Sequence, residues 1–199
     1  MKFLIIGGFL GSGKTSLLLE LIPYMREQLG IEKTVVLENE IGRVGIDDRV
    51  LSGAGYSVRG LFAGCVCCTM AGELTLTVKA IKEDIDPEWI VMEATGMAFP
   101  QNVKENLREI LGIDARICCL ADAKRWPRLL KPMEHLLPLQ LAEADTVLIN
   151  KTDLVDEAAL AAVFESVKSF CPPDAEIFPV SMNSGLNTCI FDRILGRDE

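Results

Sequence analysis

Residues 8–15, GFLGSGKT, form a glycine-rich segment that fits the pattern GxxxxGK[ST]. Glycines let successive backbone N–H groups turn toward phosphate oxygens, and the start of a helix adds partial positive charge. We expect Lys14 to reach the β- and γ-phosphates of a nucleotide and the Thr15 hydroxyl to bind Mg²⁺. The alternative is a chance match in a glycine-rich turn, which the strand–loop–helix context disfavours. The predicted phosphate-binding residues are Gly8, Leu10, Gly11, Ser12, Gly13, Lys14, Thr15 and Ser16.

A second motif, NKTD, follows the apolar run TVLI and has the groups needed to recognise guanine. The Asp153 carboxylate can accept hydrogen bonds from guanine N1–H and the exocyclic amino group, a pair that adenine cannot supply. We expect Lys151 to lie along the ring and Asn150 to join this loop to the phosphate loop. Taken alone, NKTD is also ordinary loop sequence, but together the two motifs predict GTP and GDP as ligands. Ser181, with Asn183, belongs either to a second base-side loop or to a polar turn.

Three cysteines lie between these motifs, in the sequence GCVCC. Thiolates at this density bind soft or borderline metals such as Zn²⁺, so Cys65, Cys67 and Cys68 are candidate transition-metal ligands. Three sulfur atoms leave a site open, which suits a protein that hands a metal on. Glu40 is a further candidate ligand. The alternatives are small buried apolar residues and reactive redox thiols.

The remaining cysteines and the single histidine have no metal-ligand spacing. We expect Cys118, Cys119, Cys171 and Cys189 to be small buried residues, which is common for free cysteine. His135 lies in a stretch with a helical pattern and is interpreted as a surface or packing residue.

The motif EATG places a carboxylate at the C-terminal end of an apolar strand, where ligands gather in open α/β sheets. We expect Glu93 to hold the magnesium shell or to orient water, and Gly96 to bring its backbone toward the γ-phosphate. Lys14, Glu93 and Gly96 are therefore the predicted catalytic residues. Asp47, in ENEIGRVGID, is predicted to join Thr15 and Glu93 around magnesium, with solvated loop charge as the alternative.

Alternating short apolar runs and amphipathic stretches predict the elements that must position these groups. The predicted fold class is α/β, a three-layer P-loop NTPase fold with a mostly parallel, doubly wound sheet, in a single domain at residues 1–199. The predicted strands are residues 1–6, 33–38, 56–62, 89–93, 115–121, 146–149 and 177–180. The predicted helices are residues 14–29, 73–84, 101–111, 133–142, 156–170 and 187–195. Gly30 is expected to end the first helix and Asp156 to cap the fifth.

Composition narrows the possible partners. The chain has 199 residues, with 20 Lys and Arg against 29 Asp and Glu, a formal net charge of −9. Nucleic acid and anionic membranes both require a basic field, so neither is expected as a main partner. No secretory signal and no stretch long enough to span a bilayer are visible, and we expect a cytoplasmic protein with reduced thiols.

The motifs GFLGSGKT, NEIGRVGID, GCVCC, EATG and NKTD occur in the order found in the CobW/HypB/UreG group of nucleotide-dependent metal chaperones. The CxCC element ahead of an ExxG motif most resembles the CobW-like branch, and the resemblance spans residue 8 to about residue 185. It implies slow GTP hydrolysis and Zn²⁺ or Co²⁺ held by Cys65, Cys67 and Cys68. It also implies that Glu93 replaces the usual switch aspartate.

These features predict a GTPase that delivers zinc or cobalt to a client metalloenzyme or cofactor-pathway protein. GTP and Mg²⁺ are expected to order residues 39–48 and the loop near Glu93, which would move the cysteines and change their metal affinity. The main alternative is a GTPase that guards or reactivates a corrinoid or other cofactor-dependent enzyme without carrying metal. A small-molecule kinase and a non-enzymatic redox or scaffold protein are further alternatives. Longer CobW-like proteins carry a C-terminal domain, and we expect a partner or a homodimer to supply what it provides.

Overall fold

A parallel β-sheet forms the centre of the molecule. The computed structural model describes residues 1–38, 57–60, 70–96 and 99–197. The strands are β1 (Lys2–Gly8), β2 (Thr34–Glu38), β3 (Ser57–Gly60), β4 (Trp89–Glu93), β5 (Ala115–Asp122), β6 (Thr146–Asn150) and β7 (Glu176–Pro179). Among the described residues they pair in the order β3-β2-β4-β1-β5-β6-β7, and every neighbouring pair is parallel.

Helices connect these strands. They are α1 (Lys14–Glu27), α2 (Met70–Asp84), α3 (Pro100–Leu111), α4 (Trp126–Leu129), α5 (Leu137–Leu141), α6 (Glu157–Lys168) and α7 (Thr188–Leu195), with 3₁₀ turns at Thr152–Leu154 and Met182–Ser184. None of the helices in the described part of the chain has the length and apolar character needed to cross a lipid bilayer.

The sheet separates two hydrophobic cores. Successive side chains of a strand point to opposite faces, so in β1 Phe3 and Ile5 enter one core while Leu4 and Ile6 enter the other. Helices α1 and α7 cover the face of Leu4, and α2, α3, α5 and α6 cover the face of Phe3. The predicted three-layer, doubly wound α/β fold is confirmed.

The strand order places the chemistry at one edge of the sheet. Strand β1 lies at the centre, with β4 on one side and β5 on the other, and β6 follows β5. Because all four strands are parallel, their carboxyl ends meet at a single edge, where open α/β sheets bind ligands. The register pairs Glu93 with Ile6 near the end of β1, and it pairs Asp122 with Asn150. Three polar residues, Glu93, Asp122 and Asn150, therefore lie together at that edge.

The predicted helix at residues 133–142 is wrong over its first part. The structure has turns over residues 130–136 and a helix only at Leu137–Leu141. Pro138 accounts for the difference, because a proline in a helix interior removes a hydrogen bond, whereas in the first turn its missing N–H is not needed. The preceding short helix α4 is not predicted by the sequence pattern.

The predicted end signals of two helices are confirmed. Asp156 Oδ1 accepts a hydrogen bond from the Ala159 amide at 2.8 Å and caps the start of α6. Gly30 follows α1 with φ 66°, and its amide donates to Arg26 O at 3.1 Å, which closes the last turn. Helix α2 begins at Met70, three residues before the predicted residue 73.

Candidate nucleotide-binding site

The glycine-rich loop joins the end of β1 to the start of α1. Gly8, Gly11 and Gly13 have φ values of 126°, 75° and 111°, a region that favours glycine. Space is a second requirement at Gly13, because a Cβ there would collide with the Asn150 side-chain amide. The backbone path of this loop therefore depends on glycine at these positions.

Three successive carbonyl oxygens of the loop are held by side chains from distant parts of the chain. The pairs are Leu10 O with Arg125 Nη1 at 2.7 Å, Gly11 O with Lys151 Nζ at 2.6 Å, and Ser12 O with Asn150 Nδ2 at 2.8 Å. In a trans peptide the C=O and the following N–H point in opposite directions. Holding the carbonyls of Leu10 and Ser12 therefore also sets the direction of the Gly11 and Gly13 amides.

Lys14 and Ser12 contribute buried polar groups to the same loop. Lys14 is 6% exposed, and its ammonium donates to Gly8 O at 3.0 Å and Phe9 O at 3.4 Å. Ser12 is 1% exposed, and its hydroxyl has no hydrogen-bond partner among the described residues. A buried hydroxyl is normally satisfied, so an acceptor or donor from a ligand would complete this site.

Thr15 and Glu93 meet across the start of α1 and the end of β4. The Thr15 hydroxyl lies 3.3 Å and 3.2 Å from the two carboxylate oxygens of Glu93. Glu93 is only 9% exposed. A hydroxyl and a carboxylate are hard oxygen ligands of the kind that Mg²⁺ prefers, so this pair fits a magnesium ion.

Gly96 packs against the glycine-rich loop. A Cβ at Gly96 would lie 2.6 Å from the Leu10 nitrogen, so a larger residue would push the two backbones apart. The Gln140 side chain, which is 4% exposed, donates from Nε2 to Gly96 O at 2.8 Å. Gln140 is not predicted from the sequence, and its contact anchors the segment that follows Glu93.

Asn150 connects three segments at the other end of the site. Besides its bond to Ser12 O, its Oδ1 accepts hydrogen bonds from the amides of Lys151 at 2.7 Å and Met182 at 3.1 Å. Asn150 is 2% exposed, and Lys151 adopts φ 66°. The side chain thus fixes the glycine-rich loop, the NKTD loop and the turn after β7 relative to one another.

The Asp153 carboxylate is oriented by two polar side chains from the turn after β7. Ser181 Oγ donates to Oδ1 at 2.6 Å, and Asn183 Nδ2 donates to Oδ2 at 3.1 Å. The Ser181 hydrogen bond is the main reason that the pKa of Asp153 lies below its usual value, and the Asn183 bond acts in the same direction. Asp153 therefore presents an ionised acceptor to the cleft.

Besides Gln140, two further residues of the site are not predicted from the sequence, Asp122 and Arg125. Asp122 is 4% exposed, and its Oδ2 lies 2.6 Å from Lys151 Nζ while its Oδ1 accepts the Arg125 amide at 3.0 Å. Arg125 holds the carbonyl oxygen of Leu10. An acid at the carboxyl end of a strand is a usable signal for Asp122, but the strand is predicted to stop one residue earlier, at residue 121. No local pattern points to Arg125.

One cleft brings most of these groups together. Its volume is about 480 Å³, which lies in the range of small-molecule sites, ~300–1,000 Å³. The predicted residues that line it are Leu10, Gly11, Gly13, Lys14, Thr15, Ser16, Glu93, Asn150, Lys151 and Asp153, joined by Leu154, Met182 and Asn183. Phosphate-loop and base-loop residues thus share one opening.

The predicted transition-metal site and part of the magnesium shell lie outside the described residues. They comprise Glu40, Asp47, Cys65, Cys67 and Cys68. The same holds for the predicted loop at residues 39–55. Within the described residues, no group of three or more His, Cys, Asp or Glu side chains is arranged to hold a metal ion.

The other cysteines range from fully buried to exposed. Cys118 and Cys119 are 0% exposed, and burial raises the pKa of both thiols, as expected for structural residues. Cys171 is partly buried, which raises its pKa to about 11. The expectation of burial is wrong for Cys189, which lies on the solvent side of α7. His135 is confirmed as a surface residue, with its side chain 92% exposed.

The fold and the loop define the class of the protein. A parallel, three-layer α/β sheet with a GxxxxGK[ST] loop between its central strand and the following helix is a P-loop NTPase fold. A family profile described as CobW/HypB/UreG, nucleotide-binding domain, matches residues 2–179. The chain belongs to the CobW/HypB/UreG family, in its CobW-like branch.

Several relatives are identical to this chain at about a third of the aligned residues. Zinc chaperone YeiR of Escherichia coli is 32% identical over 157 residues, which cover 75% of this chain and 46% of the relative. Zinc chaperone YjiA of the same organism is 31% identical over 165 residues, covering 77% and 50%. Zinc-regulated GTPase metalloprotein activator 1 of Schizosaccharomyces pombe is 31% identical over 178 residues, covering 82% and 42%. The chain spans about half the length of the curated relatives it matches.

Solved structures confirm the fold. The hydrogenase maturation factor HypB from Archaeoglobus fulgidus superposes with a TM-score of 0.71 at 17% identity, covering 98% of this chain and 89% of that one. HypB from Helicobacter pylori, solved in complex with nickel, superposes with a TM-score of 0.66 at 19% identity, covering 100% and 90%.

Proposed function

We propose that residues 1–199 form a single GTP-binding domain in which residues 8–16 bind the phosphates and Asp153 recognises the guanine base. The observation that carries the proposal is the link between the two ends of one cleft through Asn150. That link sets the distance between an ionised acceptor and the phosphate loop. A carboxylate oriented by Ser181 suits the paired donors of guanine and rejects adenine.

The phosphate end has the groups needed to stabilise a triphosphate. Lys14 would place its ammonium against the β- and γ-phosphate oxygens, and the amides of Gly11 and Gly13 would donate from the loop. The buried Ser12 hydroxyl would gain a partner from the bound nucleotide. Backbone donors and the dipole of α1 act on the same charge.

We propose slow hydrolysis of GTP to GDP and phosphate at this end of the cleft. Thr15 and Glu93 would hold Mg²⁺, which when bound neutralises charge on the terminal phosphates. Lys14 would stabilise the same charge, and Glu93 would either stay in the magnesium shell or orient a water molecule through its carboxylate. Gly96, close to Leu10, brings a backbone amide near the loop where the terminal phosphate would lie.

The proposed cargo is a transition metal, zinc in the first instance and cobalt as the alternative, held by Cys65, Cys67 and Cys68 and passed to a client metalloprotein. Family membership supports this proposal, as do several relatives that are named zinc chaperones. The GTP-bound and GDP-bound states would hold the metal with different affinities, which is what links hydrolysis to delivery.

Guanine recognition is tested by Asp153→Asn. We expect GTP affinity to fall by about 100-fold, because a charge-assisted pair of hydrogen bonds is lost. ATP affinity should stay the same, because the phosphate loop is untouched. Asp174→Asn, which makes the same change at an exposed residue outside the cleft, is the control and should behave as wild type. Guanine selectivity that survives Asp153→Asn would refute the base assignment.

Metal coupling is tested by Zn²⁺ titration with GDP and with a non-hydrolysable GTP analogue. We expect affinities that differ by ~1–3 kcal/mol, the usual size of an allosteric coupling. A triple Cys65/Cys67/Cys68→Ser variant should lose the metal and keep the nucleotide. Equal zinc affinity in the two nucleotide states would defeat the switch. GTP binding without any metal binding would instead favour a GTPase that guards a cofactor-dependent enzyme.

A further inference from the structure

The turn that follows β5 reaches both loops of the cleft. Asp122, the last residue of β5 just before this turn, pairs with the Lys151 ammonium at 2.6 Å through one carboxylate oxygen. Arg125, the last residue of the turn, donates from Nη1 to Leu10 O at 2.7 Å. Lys151 in turn donates to Gly11 O at 2.6 Å, so two cations fasten two adjacent carbonyls of the phosphate loop.

The turn is itself held firmly. Asp122 uses its other carboxylate oxygen to accept the Arg125 amide at 3.0 Å. The next residue, Trp126, is 2% exposed, and its Nε1 donates to Ser166 Oγ on α6 at 3.0 Å. The guanidinium of Arg125 therefore extends from a backbone that is anchored on both sides.

Contact with the phosphate loop is close. A Cβ placed on Gly11 would lie 3.1 Å from Arg125 Nη1, so the guanidinium packs directly over that glycine. Arg125 is exposed, and an exposed charge contributes little to folding stability. Its contact with Leu10 O instead fixes the direction of the Gly11 amide, because the two groups belong to one peptide plane.

We propose that Asp122 and Arg125 are positioning residues of the nucleotide site, with Arg125 holding the phosphate loop through Leu10 and Asp122 holding Lys151. This inference rests on the nucleotide binding proposed above. It assigns Arg125 an effect on phosphate binding that is independent of the base. It assigns Asp122 an effect that passes through the Lys151 ammonium.

The test of Arg125 compares Arg125→Gln with Arg128→Gln, which removes the same charge from an exposed residue of the same short segment. Affinities for GDP and inosine diphosphate are measured with the full chain in Mg²⁺ at fixed salt. We expect Arg125→Gln to weaken the binding of both nucleotides by about tenfold, as for a lost charge-assisted hydrogen bond. The ratio of the two affinities should not change. Arg128→Gln should stay within about twofold of wild type, since exposed charges are screened. Arg125→Lys, which keeps a donor, should recover most of the affinity.

A role limited to folding would lower the unfolding temperature of Arg125→Gln without nucleotide, and we expect that temperature to be unchanged. Equal weakening by Arg125→Gln and Arg128→Gln would overturn the inference and leave only a general charge effect. Failure of the wild-type chain to bind GDP would instead overturn the proposed function itself.

Asp122 is tested by a double-mutant cycle with Lys151→Met, which removes the ammonium and keeps the aliphatic stem. Asp122→Asn should weaken GDP binding in the wild-type background. It should have little further effect on GDP binding in the Lys151→Met background, because the ammonium that pairs with Asp122 is already gone. Fully additive effects would show that Asp122 does not act through Lys151.

Discussion

The two ends of the cleft are held in place by different kinds of contact. At the phosphate end, side chains from the last residue of β6, from Lys151 just after it and from the turn after β5 bind the backbone carbonyls of residues 10–12. At the base end, Ser181 and Asn183 bind the side-chain carboxylate of Asp153. The first arrangement fixes a backbone path, while the second orients the acceptor atoms of one side chain.

The difference separates affinity from selectivity. The backbone of the loop would contact the phosphates, which all nucleotides have in common. Changes there should therefore weaken the binding of all of them together. In the proposed function the acceptors of Asp153 meet only the base, so changes there should alter which base is chosen. Asn150 belongs to both ends and should affect both properties.

Gly13→Ala should have the largest effect. Gly13 has φ 111°, and an added Cβ would collide with the Asn150 amide. We expect a loss of at least about 2 kcal/mol in the free energy of unfolding, measured with urea, together with loss of all nucleotide binding. Gly30→Ala is the control, because Gly30 has φ 66° but no atom within 4 Å of the added Cβ. It should cost about 1 kcal/mol from backbone strain alone, and equal losses would show that the Asn150 contact is unimportant.

Asn150→Ala should come next. It removes three hydrogen bonds and leaves Ser12 O and two amides without this partner. We expect a loss of about 2 kcal/mol in the free energy of unfolding, with weaker GTP binding and reduced preference over ATP. Asn183→Ala, at an exposed residue of the same cleft, should reduce the preference for GTP over ATP only slightly. It should leave the free energy of unfolding unchanged. A variant of Asn150 that loses affinity but keeps its base preference would break the link between the two ends.

Thr15→Ala should have a smaller effect that depends on magnesium. The Thr15 hydroxyl lies beside Glu93, in the pair that fits Mg²⁺. We expect GTP affinity to fall by about tenfold with Mg²⁺ and to match wild type in EDTA, because only a metal ligand is lost. Ser16→Ala removes the neighbouring hydroxyl and is the control. It should cause the same small change in GTP affinity with Mg²⁺ and in EDTA. Equal effects of Thr15→Ala with and without Mg²⁺ would place the ion elsewhere.

Ser181→Ala should have the smallest effect, visible only in acid. Ser181 is the main cause of the lowered pKa of Asp153, so its removal should raise that pKa toward the usual 3.8. Base recognition needs the ionised carboxylate and is lost as the pH falls through the pKa. The variant should therefore lose its preference for GDP over ADP at a higher pH than wild type does. Above about pH 6 the variant and the wild-type protein should show the same preference. Ser184→Ala, in the same turn, should follow the wild-type curve.

Sequence patterns predict well those features that are local in the chain. Strand β4 is predicted with its observed bounds, and Asp156 is correctly predicted as a helix cap. The order of strand–helix units is enough to predict the parallel sheet. Each of these signals lies within a few residues, so neighbouring residue types are sufficient to read it.

Contacts between distant segments are not predictable in this way. Arg125 meets Leu10 across 115 residues, and Gln140 meets Gly96 across 44 residues. Whether such side chains meet depends on strand order and register, which a single sequence does not encode locally. The buried position of Asp122 follows from its pairing opposite Asn150 in neighbouring strands.

The held carbonyls of the glycine-rich loop also bear on how binding is driven. A segment whose peptide planes are already fixed has little conformational entropy left to lose when an anion arrives. We expect the phosphate end of the cleft to be preorganised, so that its contacts appear in calorimetry as a favourable enthalpy with a small ordering cost.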